Sequence, residues 1–166
     1  GMGVNYIYFN MENGPTADIK VRKALQMAVD RDAMCAALYQ YGECSPAYLP
    51  LPPASWGYDE SLEDLVPKYD VEGAKKLLAE AGYPEGFELE YYTSDSASSK
   101  KIGEILQQFC AKVNVKVNIH QASWGTFSEI GASGNADAIG MSWTWFPDPY
   151  FYLNKMFHEE SLGTLG

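Results

Sequence analysis

A chain of 166 residues, 46% hydrophobic and 20% charged, has room for one domain with a sizeable core, since a domain of ~150 residues buries about 68–70% of the surface its unfolded chain exposes. Twenty-two acidic side chains against twelve basic ones leave a net charge of −10, so no basic stripe is available to hold a nucleic acid or an anionic membrane surface. No apolar run reaches the ~18 residues of a membrane-spanning helix, and Gly1-Met2-Gly3, without the basic and apolar regions of a signal peptide, reads as a cloning remnant.

Residues 4–10 (VNYIYFN) are β-branched or aromatic and alternate weakly, which predicts a strand broken at Gly14-Pro15. Asp18 is placed to cap a helix to about Val29, with Ile19, Leu25, Ala28 and Val29 as its apolar side. Asp30 or Asp32 starts a second helix with Met34, Leu38 and Tyr41 in line, closed at Gly42. Pro46, Pro50, Pro52, Pro53 and Gly57 forbid a regular helix over 43–58. A segment that long in a compact domain is usually a functional or packed loop. Asp70 caps a third helix, in which Val71, Ala74, Leu77, Leu78 and Ala81 recur at helical spacing while Glu72, Lys75, Lys76 and Glu80 face solvent. Gly82 closes it, and Pro84 and Gly86 make the turn.

The second half has the plainer pattern. Phe87, Leu89 and Tyr91 alternate with Glu88, Glu90 and Tyr92, giving a strand with one wet face. Ile102, Ile105, Leu106, Phe109, Cys110 and Val113 repeat as a helix does. Val115, Val117 and Ile119 alternate with Lys116, Asn118 and His120 in a further strand. Trp124, Phe127 and Ile130 mark a short helix closed at Gly131, and Ala138 to Trp143 is a strand with small residues on one side, Gly140 among them, open to close approach by a helix or a ligand. A last helix runs from Pro149 to Phe157. The order β-α-β-α-β implies parallel pairing through right-handed crossovers. A three-layer α/β domain usually needs more chain than this to cover its sheet, so residues 4–166 are expected to be one truncated α/β lobe.

Catalytic signatures are missing. Neither Gly131-Ala132-Ser133-Gly134 nor Gly140-Met141-Ser142-Trp143 has the spacing of a nucleophile elbow, and there is no glycine-rich phosphate loop. His120 and His158 read as solvated surface residues without paired carboxylates, so no metal and no cofactor are expected. Glu63-Asp64 and Glu159-Glu160 read as solvated faces. Cys110 falls on an apolar helical face; Cys35 and Cys44 fit either a bridge or two free thiols. With so little machinery, binding outranks catalysis. The aromatic segment from Ser142 to Tyr150 follows the last strand at its carboxyl end, the edge where open α/β sheets take ligands. Trp143, Trp145 and Phe146 cannot all enter one core, and exposed clustered aromatics mark a contact surface. Trp143 fits a buried position and a ligand wall equally; Trp145 is assigned to the ligand face.

Four blocks, in order and at matching spacing over nearly the whole chain, carry a family resemblance. They are Val21-Arg22-Lys23-Ala24-Leu25 through Ala28-Val29-Asp30-Arg31, Pro52-Pro53 with Trp56-Gly57-Tyr58, Tyr69-Asp70 with Ala74 through Tyr83, and Trp143-Thr144 with Pro147-Asp148-Pro149. They resemble the second lobe of the family 5 solute-binding proteins of ABC importers, the dipeptide, oligopeptide and nickel binders. The resemblance implies a type II periplasmic-binding-protein-like fold, three-layer with a mainly parallel sheet, whose partner lobe and C-terminal return are absent. It implies capture of an oligopeptide or similar small polar solute and delivery to an ABC permease, in the periplasm or outside the cell, by a protein anchored as a lipoprotein. Peptide binders of the family carry an Asp two residues after the Trp-Thr pair for the ligand amine. Dipeptide binders carry an Arg after the strand matching Phe87–Thr93 for the ligand carboxylate. Here Trp145-Phe146 follows Thr144, Asp148 belongs to the structural turn, and Thr93-Ser94-Asp95-Ser96 holds no Arg. Both departures argue against strict dipeptide specificity, because a buried ligand charge needs a partner. Trp124 matches a Trp lining the family's pocket, and fits a helix-start staple equally. The expected contacts are Trp124, Trp143, Thr144 and Trp145, with Ser94 and Ser96 as polar donors. An oligosaccharide ligand, a peptide-sensing or chaperone-like interaction module, and an α/β enzyme domain are the alternatives. The uncovered sheet edge makes dimerisation of this piece possible.

Overall fold

The computed structural model describes residues 3–39, 41, 44–144 and 148–161. The chain divides into two compact units, one of residues 7–46 and 67–141 and a smaller one of residues 1–6, 47–66 and 142–166. Strands β1 (Gly3–Phe9) and β4 (Ala138–Thr144) each run through both.

In the larger unit, α1 (Ile19–Ala28) begins where the Asp18 carboxylate accepts the Lys20 N–H at 2.7 Å. It buries Val21, Ala24, Leu25 and Ala28. The apolar face is turned relative to the expected one: Ile19 is 55% exposed, and Val21 and Ala24 point inward instead. Asp30 opens α2 (Arg31–Leu38) by accepting the Ala33 N–H at 3.0 Å. This helix stops at Leu38, short of the expected glycine, and Tyr41 is 86% exposed. A disulfide joins Cys35 to Cys44, with Cα atoms 5.5 Å apart, so the chain doubles back instead of continuing the helix. Gly42 lies outside the described residues. Asp70 opens α3 (Val71–Glu80) through the Gly73 N–H at 2.9 Å, and α3 lays Ala74 and Leu78 against α1.

The sheet order is β1-β4-β2-β3. Strand β2 (Phe87–Ser94) pairs in parallel with β3 (Val115–Ala122) from Phe87↔Val115 to Ser94↔Ala122, and with β4 on its other side from Tyr91↔Ala138. Asn10, just past β1, donates its backbone N–H to the carbonyl of Asp137, just before β4, at 2.9 Å. The end of β1 therefore meets the start of β4, and β1 runs against the other three strands. Helix α4 (Ala97–Ala111) crosses from β2 to β3 and buries Leu106 and Cys110 on Tyr91, Val115 and Val117. Helix α5 (Trp124–Ser133) crosses from β3 back to β4 and packs Phe127 with Tyr92 and Ile139. Tyr91 and Tyr92 are successive residues of one strand and point to opposite faces, so α4 and α5 lie on opposite sides of the sheet.

Two glycines behave differently from their sequence reading. Helix α5 does not close at Gly131 but at Gly134, which takes φ 71°. Gly131 sits where a Cβ would meet Tyr8 Oη at 3.2 Å and Ile139 Cδ1 at 3.3 Å, so it serves close packing. At Gly140 the close approach is that of a side chain on the neighbouring strand: a Cβ there would lie 1.9 Å from the hydroxyl of fully buried Tyr91. On the outer edge of β3, Gln107 Nε2 donates to the Val117 carbonyl at 2.8 Å.

In the smaller unit, Asp148 opens α6 (Pro149–Phe157) by accepting the Tyr150 N–H at 2.9 Å. Tyr152 and Met156 are buried among Val4, Tyr6, Leu51 and Trp143. Glu63 is not simply solvated: its carboxylate accepts the Tyr58 hydroxyl, which holds that phenol up to about 12.

Candidate functional site

Crossovers that leave adjacent strands for opposite faces of a parallel sheet part at the strands' carboxyl ends, and ligands of open α/β sheets bind where they part. Here that place is between β2 and β3. Three of the expected contact residues lie on it. Ser94 is the last residue of β2, Ser96 caps α4, and Trp124 is the first residue of α5.

The β2–α4 turn is a run of hydroxyls. Ser96 Oγ accepts the Ser99 N–H at 3.2 Å, and the Ser94 and Ser99 hydroxyls lie 2.7 Å apart. Ser94 is half-buried and Ser96 exposed. The charged residue of the turn is Asp95, and Lys100 on the first turns of α4 faces Glu104 at 3.9 Å. Trp124 is 61% exposed while its ring leans on Phe127 at 5.7 Å. It thus makes a contact at the start of the helix and still offers most of its indole to solvent.

Trp143 and Thr144 end β4 in the smaller unit. Trp143 is half-buried, with its ring 5.7 Å from Tyr152 of α6, and Thr144 is exposed. Trp145 lies outside the described residues. Asp148 is engaged as the cap of α6.

Two features of the larger unit escape a reading of the sequence. His120 has a carboxylate partner after all: its Nε2 is hydrogen-bonded to Glu90 Oε2, and its ring stacks on Tyr92 at 4.5 Å. Asn118 donates to Glu90 at 2.7 Å and to Glu88 at 2.9 Å. Asn118 first, then His120, hold the Glu90 carboxyl below its ordinary range. His158 likewise has Glu160, at 3.9 Å. The second feature is Gln121, whose Nε2 donates to the carbonyls of Ser94 at 3.0 Å and Ser96 at 3.3 Å. The only sequence signal for it is an amide continuing the apolar Val115, Val117, Ile119 series. Among the described residues, no group of three or more His, Cys, Asp or Glu is arranged to hold a metal ion, and no helix is long and apolar enough to cross a membrane.

The mainly parallel sheet, with helices on both faces and crossovers that part beside Ser94 and Trp124, is the α/β architecture of the periplasmic binding proteins. The chain belongs to the bacterial extracellular solute-binding proteins, family 5 (middle), whose model matches residues 1–163. It is similar over 169 residues to heme-binding protein A of Haemophilus influenzae, at 36% identity, covering 98% of this chain and 30% of that protein. It is 34% identical to the dipeptide-binding protein of Escherichia coli over 159 residues, which cover 91% of this chain and 29% of that one. Among solved structures it resembles the ABC transporter-associated periplasmic binding protein DppA of Helicobacter pylori in complex with the peptide STSA. That match has a TM-score of 0.88 and 25% identity and covers 99% of this chain and 32% of that one. The chain spans less than a third of the length of each of these proteins.

Proposed function

We propose that the protein containing this chain is the solute-capturing component of an ABC importer. The chain would supply one wall of the cleft, and the solute would be held until a permease takes it. The observation that carries this reading is the exposed Trp124 indole beside the Ser94–Ser96 hydroxyls, where the crossovers from β2 and β3 part. Family membership supports the role. The relatives' names differ in ligand, heme for one and dipeptide for another, so the ligand class is argued from the chemistry of the wall.

The β2–α4 turn offers hydroxyls and no basic side chain, and Asp148 is occupied as a cap. Such a wall suits hydrogen bonds and stacking better than a terminal carboxylate. An oligopeptide gripped along its backbone fits, and the same lack of a basic side chain favours an uncharged oligosaccharide as the second reading. Trp143, Thr144 and Trp145 belong to the proposed contacts. Capture works by lobe closure, since a solute shifts the open–closed equilibrium by as much as it prefers the closed state. The role is binding without turnover: His120 faces Glu90 and Tyr92, and the free thiol, Cys110, is buried with its pKa pushed up to about 12. The Cys35–Cys44 disulfide supports an oxidising compartment, periplasmic or extracellular. A lipid anchor in the parent protein completes the reading.

The test is mass spectrometry of solute released from the full-length protein, followed by calorimetric titration with tetra-alanine and with a neutral oligosaccharide. Trp124→Ala is expected to weaken the bound class by about 1–2 kcal/mol, the scale of an aromatic anchor. No released solute, together with no heat from either titrant, would refute the reading.

A further inference from the structure

We propose that Gln121 is a positioning residue for the solute wall: its side-chain amide fastens the β2–α4 turn, which carries Ser94 and Ser96, to the end of β3, which leads into Trp124. The proposal rests on the reading of this rim as the solute wall.

The argument begins with strand periodicity. Val115, Val117 and Ile119 alternate along β3 toward the face that α4 covers, and Gln121 is the next residue on that face. The strand's inward side therefore changes from apolar to amide where the core ends and α4 begins. In register, Gln121 pairs with Thr93, one rung before the last pair, Ser94↔Ala122. Past that rung the chain leaves β2 for one face of the sheet and β3 for the other, so no ladder bond continues between the two turns. Gln121 supplies the missing connection. Its one amide group carries two donors, and they reach the Ser94 carbonyl at 3.0 Å and the Ser96 carbonyl at 3.3 Å. Among the described residues, the turn is otherwise held from its own side, by the Ser96 cap, by the Ser94 and Ser99 hydroxyls 2.7 Å apart and by the Lys100 N–H on the Ser96 carbonyl at 3.0 Å. Gln121 is exposed, so it adds little to the core. Its hydrogen bonds act on the rim, fixing Ser94 and Ser96 relative to the strand that delivers Trp124 before any solute arrives.

A residue that pre-orders a site differs kinetically from one that touches the ligand. Apparent affinity scales with the fraction of molecules whose site is already competent. Losing the positioning group therefore slows association and leaves dissociation alone, whereas losing a contact speeds dissociation. The experiment uses the full-length protein with Gln121→Leu, which keeps the bulk without the donors, and Gln121→Glu, which offers only acceptors to the two carbonyls. Stopped-flow tryptophan fluorescence with tetra-alanine is expected to show association slowed about fivefold, the equivalent of one typical net hydrogen bond, with the off-rate unchanged. Amide exchange in the first turn of α4 is expected to rise in the solute-free variants. Unchanged exchange with unchanged association overturns the assignment, as does a faster off-rate at an unchanged on-rate. Trp124→Ala separates the two levels of the argument. If it also leaves tetra-alanine binding intact, or if the wild type binds neither tetra-alanine nor the neutral oligosaccharide, the reading of the rim fails and takes Gln121 with it. If Trp124→Ala weakens binding while both Gln121 variants behave as wild type, the Gln121 assignment alone fails.

Discussion

Gly82 and Gly86 permit a stability experiment with its control built in. Both take positive φ, 95° and 81°, so an alanine at either is strained by about 1 kcal/mol or a little more. They differ in surroundings. A Cβ at Gly82 would meet nothing within 4 Å, whereas one at Gly86 would lie 1.7 Å from the Asn114 carbonyl oxygen and 2.6 Å from its carbon. Those atoms are backbone, and they stand immediately before β3 as Gly86 stands before β2, at the first rung, Phe87↔Val115. Relieving the clash means separating the starts of two paired strands. Overpacking of that kind adds about 2–3 kcal/mol to the strain. Gly82→Ala is thus expected to cost about 1 kcal/mol and Gly86→Ala about 3–4 kcal/mol. For a chain of this size the latter lowers Tm by about 6–15 °C. Urea denaturation followed by circular dichroism measures both. Losses that agree within about 1 kcal/mol, the size of the shared strain, would refute the reasoning, because the Asn114 contact would then carry no weight.

Other expectations follow from single contacts. The Glu90 carboxyl sits below its ordinary value of 4.5 when folded. Its contribution to stability is therefore whole above the unfolded value and is lost as pH falls through the folded one. Asn118→Ala should flatten the acid limb of a Tm-against-pH curve, and an unaltered limb would contradict the assigned cause. The disulfide closes a loop of sequence separation 9, so Cys35→Ser with Cys44→Ser is expected to lose about 2–3 kcal/mol. Reducing the wild type should give the same shift in urea midpoint; no shift in either would mean the unfolded chain gains nothing from release. Cys110, buried with its thiol pushed up to about 12, is expected to resist iodoacetamide in the native chain at mild alkaline pH and to alkylate in denaturant. Native labelling at the denatured rate would contradict its burial.

The helix starts were legible because each depends on a local group: Asp18, Asp30 and Asp70 cap as their positions imply. The alternation in β2 and β3 was legible for the same reason, since burial on one face writes a period of two into the sequence. What escaped depends on partners distant in the chain. Gly131 looks like a helix stop, yet its neighbours Tyr8 and Ile139 come from two other strands. Ile19 is exposed because the packing of α1 on α3 selected Val21 and Ala24. The pairing of Cys35 with Cys44 needed the early end of α2. At the candidate site, Trp124 was singled out because an indole at a helix start is conspicuous. Gln121 was not, because a glutamine among alternating residues carries no mark until the turn it reaches is in place.

The place of β1 in the sheet has a consequence for how such a chain comes together. Its neighbour is β4, and the residue that receives the Asn10 N–H is Asp137. Strands β2 and β3 meet across a single helix and can close early, while β1 waits for almost everything else. In a chain delivered from its N-terminus, β1 emerges before β2, β3 and β4 and yet is the last of the four to be paired. Until then it presents an apolar, unpaired segment, a natural hold for whatever chaperone keeps the nascent protein from sticking to its neighbours.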